Sequence, residues 1–145
     1  MIRHSVEVAR TPAEVFAYIE QLDRHGEWQE AIVSARKEPP GPTRLGTRNI
    51  EVRRVPGGPR EFTAEVFEYD PPRRIAARGL NGPIRPTIAM TVEPIRDGAG
   101  SRVTLDLDLR GYGIGKILVF VARLASKKKV PADLNRLKTR LESGG

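Results

Sequence analysis

Ile2, His4, Val6 and Val8 alternate with Arg3, Ser5 and Glu7, the period of two that predicts a half-buried strand. Thr11-Pro12-Ala13-Glu14 follows with an N-cap, a proline for the first helical position and the acid of a capping box. A short helix is expected there, with Val15, Phe16, Ile19 and Leu22 as its apolar stripe. Asp23-Arg24-His25-Gly26 interrupts that stripe before a second short turn of helix carrying Trp28.

Between residues 30 and 110 the pattern predicts six strands, near 30–38, 46–55, 60–69, 73–80, 84–95 and 101–110. Turn residues punctuate them, among them Pro56-Gly57-Gly58-Pro59, Asn81-Gly82-Pro83 and Asp97-Gly98-Ala99-Gly100. Connections this short join antiparallel neighbours, so the segment reads as a meander. Pairing across Asp97–Gly100 sets Ile88, Met90 and Val92 on one face with Val103, Leu105, Leu107 and Leu109. The other face carries Thr87, Thr91, Glu93, Thr104, Asp106 and Asp108, so the sheet is one-sided and needs a covering element.

The C-terminal helix is the expected cover. Ile114, Ile117, Leu118, Val121, Leu124 and Ala125 form one stripe, whereas Val130, Leu134, Leu137 and Leu141 lie half a turn round. Pro131 stands at the changeover and predicts a kink or break at 127–131. The fold class is therefore α+β, one domain over residues 1–142 with 143–145 as a frayed end: a curved seven-stranded antiparallel sheet, two short helices and a long, kinked C-terminal helix.

Charge sharpens the picture of that last segment. The net charge of +7 arises entirely between Arg110 and Glu142, where nine basic residues face two acids. An electrostatic partner is expected to meet the chain there. Nucleic acid fits poorly, because no aromatic side chains interleave with the basic ones in the manner of a stacking platform. Ile117-Leu118-Val119-Phe120-Val121-Ala122 is apolar all round, which leaves its outer side to be covered by a second copy, a ligand's tail, an anionic membrane surface or the domain's own loops. No apolar run approaches the ~20 residues of a membrane span, and the N-terminal stretch lacks the apolar core of a secretory signal, so a cytoplasmic protein is the expectation.

The chain has no cysteine, which excludes disulfides, thiolate nucleophiles, iron–sulfur clusters and cysteine zinc sites. His4 and His25, the two histidines, stand in no metal-ligand spacing, and neither a metal nor a cofactor is expected. Gly111-Tyr112-Gly113-Ile114-Gly115-Lys116 fails as a phosphate loop, since its spacing is wrong and Ile117 stands where Ser or Thr would bind magnesium.

Five local phrases occur in the order of these elements: Thr11-Pro12-Ala13-Glu14-Val15-Phe16-Ala17-Tyr18, Gly26-Glu27-Trp28, Leu45-Gly46-Thr47-Arg48, Glu68-Tyr69-Asp70-Pro71-Pro72-Arg73-Arg74 and Leu134-Asn135-Arg136-Leu137-Lys138-Thr139-Arg140-Leu141-Glu142. Together with the element order they resemble the START-like, or SRPBCC, helix-grip superfamily, in particular its polyketide cyclase/dehydrase and lipid-transport branch. The resemblance implies a sheet gripping the final helix around a cavity for lipids, polyketides or similar molecules. It carries over no catalytic residue.

The expected function is binding of a hydrophobic small molecule in a cavity between sheet and helix. Its lining is expected from Trp28, Phe62, Ile88, Met90, Val92, Leu105, Leu107, Ile117 and Val121, with Asn49, Glu51 and Arg53 as polar contacts. Pairing across Pro56–Pro59 puts Asn49, Glu51 and Arg53 with Phe62, Ala64 and Val66 on one face, and Ile50 and Val52 with Thr63, Glu65 and Phe67 on the other. Which face turns inward is open, but either brings an acid with it. Glu51, Arg53 and Glu65 are thus candidate proton-transfer groups for the alternative function, a polyketide cyclase or dehydratase. A third reading is a membrane-surface or oligomerising module built on residues 114–129.

Overall fold

The computed structural model describes residues 1–144. Strand β1 (Ile2–Val8) leads into α1 (Pro12–Ile19) and a 3-10 turn (Leu22–Glu27). Six strands follow: β2 (Ile32–Glu38), β3 (Arg48–Val55), β4 (Gly58–Asp70), β5 (Arg74–Gly79), β6 (Ile84–Ile95) and β7 (Gly100–Gly111). Helix α2 (Gly115–Glu142) ends the chain. The sheet is antiparallel throughout, in the order β1-β7-β6-β5-β4-β3-β2. The first strand therefore joins the last, and β2 and β1 are the two edges.

Local chemistry sets the element boundaries. The Thr11 hydroxyl accepts from the Glu14 amide at 3.2 Å while Glu14 accepts from the Thr11 amide at 3.2 Å, so the capping box satisfies two backbone donors at the α1 N-terminus. The β6–β7 register is the one the apolar pattern demands, with Ile88 opposite Leu107, Met90 opposite Leu105 and Val92 opposite Val103. These residues point to the inner face, where Val8, Val15, Phe16, Ile19, Trp28, Val66 and Ile75 complete the core.

Helix α2 answers the expectation of a kink or break in part. It is continuous through Pro131, so of the two the break does not occur. The proline deprives only the Lys127 carbonyl of a donor, and Lys127 is exposed, so solvent can replace the lost bond at small cost. Moreover, its buried residues are Gly115, Val119, Val130, Leu134, Leu137 and Leu141, one continuous stripe on a single face. The phase change read from the sequence is real, but it arises because the 114–125 stripe faces solvent and not because the helix breaks.

The helix packs over β1 and β7, reaches the margin of β6, and makes no substantial contact with β5, β4 or β3. Its far end is clasped to the N-terminal segment: Glu142 accepts from the Ala9 amide at 2.9 Å, Arg10 Nε donates to the Leu141 carbonyl at 2.9 Å, and Lys138 Nζ donates to the Glu7 carbonyl at 2.7 Å. Ser143 and Gly144, expected to fray, continue this end with amide bonds to the Thr139 and Leu141 carbonyls. Gly145, the remainder of that expected frayed end, lies outside the described residues.

Candidate functional site

Strand pairing settles the orientation the sequence left open. Asn49 lies opposite Ala64 and Glu51 opposite Phe62, and Arg53 reaches across to the segment after the 3-10 turn, so Asn49, Glu51 and Arg53 occupy the inner face. Glu65 is consequently on the outer face. There it pairs with Arg48 at 3.3 Å, which removes it as an acid of the interior.

The three inner-face polar residues form a hydrogen-bonded chain. Asn49 Nδ2 donates to Glu51 Oε2 at 3.0 Å, and Arg53 Nη1 donates both to Glu51 Oε1 at 2.7 Å and to Gln29 Oε1 at 3.1 Å. Gln29 Nε2 lies 3.4 Å from His25 Nδ1, and His25 Nε2 donates to the Ile19 carbonyl at 2.7 Å. Because a carbonyl can only accept, the proton sits on Nε2 and Nδ1 is the acceptor, the pattern of a neutral imidazole. The His25 ring also lies 5.0 Å from that of Trp28, and enclosure by these neighbours lowers its pKa below the ordinary histidine value.

A folded-state pKa below the unfolded one means that the unfolded chain binds the extra proton. The stabilisation is complete above about pH 6.5 and is lost as pH falls through the lowered value. His25→Gln is therefore expected to flatten the fall in unfolding free energy between neutrality and mild acid, as followed by urea denaturation across pH. An unaltered slope would show that His25 is protonated as readily in the native state.

Two polar atoms of the interior have no protein partner among the described residues: the donor Trp28 Nε1 and the acceptor Asn49 Oδ1. Their residues are only 1% and 6% exposed. A buried polar group without a partner costs about 1–3 kcal/mol, so each of these two is an expense the fold alone does not explain. Close by on α2, burial raises the pKa of Asp133, which Arg136 and the Glu30 amide partly offset.

The apolar residues expected to line a cavity fall into three groups. Met90, Val92, Leu105 and Trp28 face inward but are packed into the core. Phe62, Ile88 and Leu107 also face inward and remain only partly buried, Ile88 opposite Leu107 on β6 and β7 and Phe62 further across the sheet on β4. Ile117 and Val121 belong to neither group. They project from the side of α2 opposite its buried stripe and are corrected from cavity wall to outer surface, because Gly115 and Val119 occupy the face turned to the sheet. Two shallow depressions lie elsewhere, one of about 130 Å³ over Ser34, Ile50, Val52 and Glu61 and one of about 260 Å³ where Ile2 and His4 meet Lys127 and Pro131.

The neutral His25, its bond to the Ile19 carbonyl and the two unpartnered atoms carry no signal in a single sequence. The alternation of β3 gave away Asn49, Glu51 and Arg53 because three polar side chains in succession on one face disturb an otherwise apolar period.

A seven-stranded antiparallel sheet closed by a long C-terminal helix, with polar groups set into its inner face, defines the helix-grip fold. The chain belongs to the polyketide cyclase / dehydrase and lipid transport family, whose model matches residues 1–142. An uncharacterized protein of Mycobacterium tuberculosis is 28% identical over 133 residues, 91% of this chain and 92% of that one. Among solved structures, TTHA0849 from Thermus thermophilus superposes with a TM-score of 0.79 at 18% identity, covering 99% of this chain and 98% of that one. The Zhui aromatase/cyclase from Streptomyces sp. R1128 gives 0.77 at 16% identity, covering 97% and 92%. At these identities the likeness is one of fold.

Proposed function

We propose that this protein binds a hydrophobic small molecule along the inner-face strip of Phe62, Ile88 and Leu107, with the polar end of that molecule at Trp28 and Asn49. The observation that carries the reading is the pair of unpartnered buried atoms, a donor at Trp28 Nε1 in the core and an acceptor at Asn49 Oδ1 on the inner face of the sheet. A ligand hydroxyl, or a carbonyl beside one, would satisfy either atom, and its hydrocarbon remainder would take the strip out of water. The family's name, which joins polyketide chemistry to lipid transport, is consistent with such a molecule.

Native mass spectrometry of protein purified from its own host is expected to show a retained apolar molecule. Ile88→Trp, which fills the strip with a ring, is expected to lose it without a lowered melting temperature. If the wild type carried no added mass and an apolar fluorescent probe bound it and Ile88→Trp equally, the strip would be ordinary surface.

A second reading, cyclase or dehydratase chemistry, is favoured by the inner-face position of Glu51 and Arg53. The carboxylate accepts from both Arg53 and Asn49, so both of its oxygens are already engaged, an arrangement that suits orientation of a ligand better than proton abstraction. Turnover of a polyketide substrate that survives Glu51→Gln together with Arg53→Met would remove this reading and leave binding intact.

A further inference from the structure

Ile114, Ile117, Phe120, Val121 and Leu124 are between 64% and 74% exposed, and Tyr112 and Leu118 add to the same end of the molecule. Single exposed apolar side chains are ordinary. Five large ones along about 15 Å of one helix are not. They do not belong to the ligand strip, since they lie on the side of α2 away from the sheet. Their surroundings carry one sign of charge: residues 109–132 contain Arg110, Lys116, Arg123, Lys127, Lys128 and Lys129 and no acid. Lys116 stands at one end of the apolar band and Lys127, Lys128 and Lys129 at the other, all four exposed.

We infer that the N-terminal half of α2 is a docking surface for an anionic lipid bilayer. A helix with an apolar face bounded by lysines lies in the plane of the interface, its side chains in the acyl boundary and its ammonium groups among the headgroup phosphates. No helix among the described residues is long and apolar enough to cross a membrane, so the contact is peripheral. A second copy of the chain fits this face less well. An antiparallel two-fold contact sets Lys127–Lys129 against the partner's basic Lys116 end, and a parallel one sets the triple lysine against itself, so like charges meet in both. The rest of α2 supplies rigidity, because Val130, Leu134, Leu137 and Leu141 fix the helix to the core while the first half, seated on Gly115 and Val119, leaves its outer side exposed.

The test is flotation of the full chain with phosphatidylglycerol-rich and with pure phosphatidylcholine vesicles, at low and high salt. The protein is expected to bind the anionic vesicles more tightly, and salt is expected to weaken that binding. Ile117→Glu with Val121→Glu is expected to reduce partitioning at least tenfold. Replacing Lys127, Lys128 and Lys129 together by alanine is expected to cost on the order of 10–100-fold and to remove most of the salt dependence. All substituted side chains are exposed, and unchanged circular dichroism and melting temperature would confirm that the variants fold. The inference is overturned if the wild type ignores anionic vesicles, or if the Glu variants bind them equally well. It is overturned too if the wild type is a dimer that these Glu substitutions dissociate, which would assign the face to a second copy. Loss of the retained small molecule in Ile88→Trp has no bearing on these outcomes.

Discussion

Replacing Leu134 by alanine is expected to cost about 2–5 kcal/mol, whereas the same truncation at Leu124, earlier in the same helix, is expected to change stability by less than about 0.5 kcal/mol. Leu134 is fully buried and belongs to the core with Val8, Val15 and Val103. Its removal leaves a hole that close-packed neighbours fill only in part. Leu124 is mostly exposed, and alanine there loses little burial and keeps a good helix former. Urea unfolding midpoints with unchanged slope would measure both values. Comparable losses at the two positions would mean that the first half of α2 is covered by the chain itself, contrary to its outward orientation.

Gly115→Ala is expected to destabilise the protein by about 1–3 kcal/mol, although an alanine inside a helix ordinarily gains about 0.5–1 kcal/mol over glycine. Gly115 begins α2 and is buried. A Cβ at this position would fall on the Pro83 carbonyl, a backbone atom that cannot swing aside. That carbonyl already accepts from the Tyr112 amide at 2.7 Å, and Arg85 lies over the Tyr112 ring at 4.5 Å, so the β5–β6 connection and the start of the helix are held together. Accommodating the methyl group requires one of them to move. Thermal unfolding would decide the matter, and a variant at least as stable as the wild type would show that this junction yields freely.

The meander was legible because its signals are local. Alternation in β6 and β7 and the Asp97–Gly100 turn fixed the register that was found, and the Thr11–Glu14 capping box marked the start of α1. Helix α2 was harder for a physical reason. A stripe of Ile114, Ile117, Val121 and Leu124 has the period of a core-facing surface, and periodicity cannot tell a face buried by the domain from one left for another partner. Only the later leucines, with Gly115 and Val119, show which side meets the sheet, and they do so through contacts distant in sequence. Placing Ile117 and Val121 in a cavity followed from that ambiguity, and the half-turn change of stripe beside Pro131 made a break one of the two outcomes expected there. In the site, the side shared by Asn49, Glu51 and Arg53 could be read from β3. Its inward orientation, and the exclusion of Glu65, depended on how two strands sit beneath a 3-10 turn far upstream.

The clasp between the two ends of the chain has a consequence for how the protein is made. β1 has one partner, β7, and its apolar side is closed by the last turns of α2. A nascent chain therefore carries an unpaired strand of Ile2, Val6 and Val8 until β7 has been made, and Leu134, Leu137 and Leu141 come later still. Contacts of such sequence separation form late and slowly. The N-terminal strand is thus left without its partner longer than any other, and its burial waits on the second half of α2.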